Sequence, residues 1–153
     1  MELNESKFIE REITLRNMML TKEVTETRRS LVRWLALALG IINPGESRQS
    51  AVAVLDSILY FQFVERKDPS VQELSEYISK NWEPMNEKTL RYHLLQLSKA
   101  KVVSHSKGVY FLSNANPDQK YNEEAWVSEY FNTEVQPIKE KISAAIKELK
   151  GRQ

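Results

Sequence analysis

Between residues 47 and 100 the apolar side chains return every three or four positions, which is the period of a helix with one buried face. Val52, Leu55, Ile58, Leu59 and Phe63 mark a first helix, from Ser47 as its N-cap to about Arg66. Asp68-Pro69-Ser70 ends it and starts a second, in which Ser70 and Glu73 have the spacing of a capping box and Val71, Leu74, Tyr77 and Ile78 form the stripe. Trp82-Glu83-Pro84 breaks that helix. Asn86 then caps a third, running to about Ala100, with Leu90, Leu94 and Leu97 on one side. Beyond it the pattern changes. Val102 to His105 and Val109 to Leu112 read as two short strands of a hairpin, joined through Ser106-Lys107-Gly108.

The flanks carry helical patterns too. Residues 5 to 20 have helix composition, with Phe8, Ile9, Ile13 and Leu15 as apolar positions, and Thr21 is a break or cap after them. Leu20, Val24, Leu31, Trp34, Leu35 and Ala38 keep helical spacing up to Gly40, a C-cap, and Asn43-Pro44-Gly45 is a turn. After a loop at 114 to 119, Glu123 to Phe131 and Pro137 to Leu149 are two further helices. The predicted chain is mainly α with a small β-hairpin: five helices, the hairpin, then two helices. It divides into N-terminal helices at 1–46, a central domain at 47–112 and C-terminal helices at 113–153.

Composition narrows the class. A chain of 153 residues with 28% charged and 41% hydrophobic residues is an ordinary globular one, and four glycines with five prolines favour helix. With no cysteine there is no disulfide, thiolate metal site or thiol nucleophile, which fits a reducing cytosol. The first thirty residues are densely charged, unlike a secretory signal. The greasiest run, Trp34 to Ile42, is far below the roughly 20 residues of a membrane span. No membrane association and a cytoplasmic location are therefore expected.

The net charge of +1 says little about partners, but its distribution says more. Residues 79 to 107 carry Lys80, Lys88, Arg91, Lys99, Lys101 and Lys107 against Glu83 and Glu87, a local +4, whereas 108 to 153 carry a local −1. At about 100° per residue, Lys88, Thr89, Tyr92, Gln96 and Lys99 lie opposite the three leucines, with Arg91 and His93 at the borders. Leu95 also falls on the outward side. Such a face on an arbitrary helix is usually only solvated surface. Here it is followed by a hairpin whose tip, His105, Ser106 and Lys107, is polar.

Residues Val71 to Ile78, Lys88 to Leu97 and Val102 to Leu112 together resemble the winged helix-turn-helix domain of bacterial and archaeal transcription regulators. Thr89-Leu90-Arg91-Tyr92-His93-Leu94 followed by Leu97 is similar to that superfamily's recognition helix. One residue departs from the pattern: Lys101 stands where a glycine commonly ends this helix. The resemblance implies a winged helix-turn-helix with extra N- and C-terminal helices, a major-groove helix at 86–100 and a wing at 102–112. Double-stranded DNA is the expected partner, contacted through Lys88, Thr89, Arg91, Tyr92, Gln96, Lys99, His105, Ser106 and Lys107. The alternative is a winged helix used for protein–protein assembly within a transcription or chromosome-organising complex, which the near-neutral total charge and the outward Tyr92 and Leu95 would suit.

Nothing in the chain favours catalysis. It has no glycine-rich phosphate loop, no histidines at ligand spacing and no nucleophile elbow. No enzyme activity, cofactor or metal is expected, and no effector pocket is legible. Asp56, inside an apolar helix, reads as an acid hydrogen-bonded to a neighbouring element. Val135, Ile138, Ile142, Ala145 and Leu149 step by three and four like the seam of a short coiled coil, with Trp126, Tyr130 and Phe131 just before it. A homodimer through the terminal helices is the expected assembly; the alternative is that these helices fold back on their own subunit.

Overall fold

The computed structural model describes residues 4–113 and 117–152, and Asn114 to Asn116 of the predicted loop lie outside them. The described residues are mainly helical with one two-stranded antiparallel hairpin. It forms two compact units, Met1–Ser47 and Arg48–Gln153.

In the first unit the sequence expectation fails over residues 5 to 20. Only Glu5–Phe8 forms a 3₁₀ turn, and residues 9 to 20 run without helix. The reason is a set of partners far away in the chain. Arg16 sends its guanidinium to the carbonyls of Leu37 (2.6 Å) and Ile42 (2.9 Å), and its backbone N–H to Ala38 O (2.9 Å). Those carbonyls lie in the last turn and just beyond the end of a helix, where the regular intrahelical ladder has run out. A strap that satisfies them with an arginine competes successfully with local helix propensity.

Two helices follow. α1 (Lys22–Thr25) is a single turn capped by Thr21, and α2 (Arg28–Ala38) is capped by Thr27, so the predicted continuous helix is interrupted at Glu26-Thr27. The indole N–H of Trp34 donates to Met19 O at 2.8 Å, fixing the strap again. α2 ends in a Schellman motif: Ile41 N–H reaches Ala36 O (2.8 Å), Gly40 N–H reaches Leu37 O (3.2 Å), and Gly40 has φ +70°. A Cβ on Gly40 would stand 2.5 Å from Thr14 O, so both the turn and the strap require glycine there.

The second unit opens with α3 (Ser50–Tyr60), whose N-cap is Gln49 rather than the expected Ser47 and makes no side-chain cap bond. Its end widens into a π turn, Phe61–Glu65, closed by Arg66 in the left-handed region. The capping box predicted at Ser70 and Glu73 is formed in both directions and starts α4 (Val71–Asn81). Asn86 accepts the Thr89 N–H at 2.8 Å and starts α5 (Glu87–Lys99). Leu74, Ile78, Leu90, Leu94 and Leu97 are all buried, with Val52, Leu55 and Ile58 of α3, in one core where α3, α4 and α5 meet.

Helix α5 also ends in a Schellman motif, with Val102 N–H on Leu97 O and Lys101 N–H on Ser98 O, both 3.0 Å. Lys101 takes the left-handed conformation (φ +62°) that glycine normally fills. The hairpin then pairs β1 (Val103–Ser106) with β2 (Val109–Leu112). Lys107 (φ +53°) and Gly108 (φ +80°) make its two-residue turn, both left-handed as a type I′ turn needs. Val103 faces Leu112 on the buried side. An antiparallel bridge from Ser70 to Val109, with Tyr110 N–H on Pro69 O (2.8 Å), ties the hairpin to the start of α4. The chain closes with a 3₁₀ turn at Pro117–Gln119, then α6 (Glu123–Glu134) and α7 (Gln136–Lys150).

Candidate nucleic-acid interface

The outward face of α5 is defined by what holds its inner face. With Leu90, Leu94 and Leu97 buried at 3% exposure or less, the helix can be turned only one way. Lys88, Arg91, Tyr92, Gln96 and Lys99 are exposed, and so is Leu95. Thr89, expected among the contacting residues, is half-buried beside the cap. Arg91 pairs with Glu87 one turn before it, at 3.5 Å, a solvent-exposed pair that contributes little and can be released. Tyr92 is 57% exposed, and its ring stands edge-on to His93 at 5.2 Å. His93 itself turns toward the body of the unit, with Nε2 hydrogen-bonded to Ser50 Oγ at 3.1 Å.

At the hairpin, His105, Ser106 and Lys107 are exposed, with Lys107 in the turn. His105 lies opposite Tyr110 in the ladder, and the rings stack at 4.9 Å. The nine residues thus form two groups, one along α5 and one at the hairpin tip. The short turn through Lys101 links them, and β1 packs against α5.

Two buried polar side chains fix this arrangement, and the sequence alone gives neither a positioning role. Asp56 accepts hydrogen bonds on Oδ2 from Tyr77 Oη and Trp82 Nε1, both 2.8 Å. This is the interelement bond expected of it, and it locks the end of α4 to α3 just where the chain turns into α5. Gln62 bridges the hairpin and the segment after it: Oε1 accepts the Leu112 N–H (3.1 Å) and Nε2 donates to Lys120 O (2.7 Å). Its signal is a polar residue on the α3 apolar stripe, three or four residues after Ile58 and Leu59. It is fully buried within the π turn. Nearby, Asp68 accepts from Lys120 and from Tyr121 (3.2 Å), and the Lys120 ammonium lies over the Phe111 ring at 4.1 Å. Burial pushes the Tyr121 hydroxyl above its usual range, and the Asp68 carboxylate adds to this.

The histidines stay in separate elements, and among the described residues no group of three His, Cys, Asp or Glu side chains is placed to hold a metal. No described helix is long and apolar enough to cross a membrane. No protein-family model, curated protein or solved structure matches the chain.

Proposed function

We propose that this chain is a DNA-binding transcription regulator of winged helix-turn-helix type, with α4 and α5 as the two motif helices and the β1–β2 hairpin as the wing. The observation that carries the proposal is the outward face of α5. It presents Lys88, Arg91, Tyr92 and Gln96 from a helix locked by three buried leucines and a capped start. Such rigidity is what positions a few side chains against base edges. The Ser70–Val109 bridge adds support, because it anchors the hairpin to the start of α4 and so fixes its tip.

In this reading Lys88 and Arg91 meet phosphate or guanine, Gln96 meets an adenine edge, and Lys99 and Lys107 meet the backbone. Regulation of this kind takes place in the cytosol. Selection of bound sequences from a random duplex pool tests it directly: a recovered consensus supports the proposal. Removal of both cations in Lys88→Ala/Arg91→Ala should weaken binding tenfold or more and flatten the salt dependence by about 0.9 for each phosphate no longer neutralised. A variant that binds every duplex as the parent does refutes this placement.

A second reading is favoured by the same face. Leu95 is 52% exposed beside Tyr92, and apolar area of that kind suits a protein partner. It predicts no retardation of any duplex at low salt and a protein partner whose binding is abolished in Leu95→Asp.

A further inference from the structure

Helix α7 has no buried residue along its 15 positions, and a helix of that length is marginal on its own in water. Its apolar side chains are nonetheless aligned. Ile138, Ile142, Ile146 and Leu149 are between 41 and 69% exposed. On α6 the inner side is buried through Trp126 and Tyr130, but Val127 and Phe131 are exposed at 47 and 43%.

Apart from Ile146, which lies to one side, these exposed residues belong to one stripe. Val135 interrupts the helix and Pro137 opens α7, but α-type bonds span the junction: the Val135 N–H bonds to Phe131 O (3.0 Å), and its carbonyl accepts from Lys139 N–H (3.2 Å). Counted at 100° per residue, Val127, Phe131, Ile138, Ile142 and Leu149 fall within a sector about 60° wide. The stripe is about 33 Å long at 1.5 Å per residue.

The charges along it are segregated. α6 carries four glutamates and no lysine or arginine, a net −4, while α7 carries four lysines and two glutamates, a net +2. We propose that the stripe seats a second copy of this chain in antiparallel orientation, α6 of each subunit lying against α7 of the other. A parallel pair would set −4 against −4 and +2 against +2. An antiparallel pair centred within α7 alone would oppose lysines and leave Val127 and Phe131 uncovered. A two-fold axis near Ile138 covers Val127 and Phe131 and leaves only Lys139, beside the axis, near its own counterpart. It sets acidic helix against basic helix and Val127 against Leu149 of the partner subunit. Phe131 then meets the small Ala145 of the partner subunit, and Ile138 meets its own counterpart. An anionic membrane, the other surface an amphipathic helix can take, would be repelled by the acidic half of the stripe.

The dimer stands independently of the DNA reading, because its test uses no DNA. Light scattering on the full chain should give twice 17.9 kDa at micromolar concentration. Ile142→Glu/Leu149→Glu should raise the dissociation constant by about a hundredfold or more. Because the chain has no cysteine, single introduced thiols report orientation without background. Under mild oxidation Ile138→Cys should cross-link to itself. Val127→Cys should cross-link to Leu149→Cys when the two are mixed, and neither should do so alone. This arm does not depend on the doubly charged variant folding. A monomer at every concentration, a dimer that survives Ile142→Glu/Leu149→Glu, or self-cross-linking of Leu149→Cys overturns the proposal. So does a monomer that floats with anionic vesicles, which would assign the stripe to lipid.

Discussion

In α5 three leucines are buried and the charged side faces out; in α7 none of the residues is buried and the isoleucines face out instead. Both helices are amphipathic and of similar length, so periodicity alone does not distinguish them. The difference is whether the chain itself supplies the apolar partner. α3 and α4 supply it for α5, which leaves a polar surface suited to a polar ligand. α7 has its greasy side open, and the surface it offers is suited to another protein. An amphipathic pattern therefore predicts a helix, while the packing decides which side of it does the recognising.

The sharpest way to break this comparison is a pair of truncations. Leu94→Ala, in the filled face, should cost about 2–5 kcal/mol in urea unfolding. Ile142→Ala, measured at dilutions that hold the chain monomeric, should stay within about 0.5 kcal/mol of the parent. Equal losses would mean that the two faces are not differently partnered.

Asp56→Ala should cost about 2–4 kcal/mol by the same measurement, since it strands the Tyr77 hydroxyl and the Trp82 indole N–H. Its effect on α5 is the more telling readout: amide exchange should rise at Asn86 to Thr89, where the helix starts. Smaller again is Lys101→Gly, which should raise stability by roughly 0.5–1 kcal/mol because the left-handed C-terminal position of α5 strains a lysine. A loss of stability would show that the lysine side chain compensates for its backbone.

The smallest effect concerns pH. Hydrogen bonding to Lys67, and then to the Ser70 backbone N–H, holds the Glu73 carboxyl below its ordinary value of 4.5. A depressed carboxyl contributes stability above its unfolded value and loses it as pH falls through the folded one, so the loss lies below pH 4.5. Glu73 is partly exposed, so Glu73→Gln should remove less than about 1 kcal/mol of that acid-side dependence. Melting curves between neutral pH and the acid limb check it.

What is legible in the sequence is local. The capping box of Ser70 with Glu73, the cap at Asn86, the three leucines of α5 and the hairpin each involve residues within a few positions of one another, and each is formed, although Ser106, expected in the turn, belongs to β1. What misleads is long-range. The segment 5 to 20 has helix composition, but the partners of Arg16 lie 21 and 26 residues away, and no periodic count sees them. Ser47 has the chemistry of a cap, yet α3 starts three residues later without one. Gln62 is hidden in a stripe of apolar residues, and its partners, Leu112 and Lys120, lie 50 and 58 residues away. At the candidate interface the helix face is readable from spacing, but the half-burial of Thr89 and the stacking of His105 on Tyr110 are not.

The three tryptophans give each part of this molecule its own optical reporter. Trp34 hydrogen-bonds the strap, Trp82 hydrogen-bonds Asp56 at the entry to α5, and Trp126 is stacked on Tyr130 in α6. Replacing any two by phenylalanine leaves one tryptophan to follow at excitation wavelengths the tyrosines do not absorb. Its spectrum during unfolding then dates the release of the strap, the loosening of the α5 entry or the exposure of α6 on a common clock.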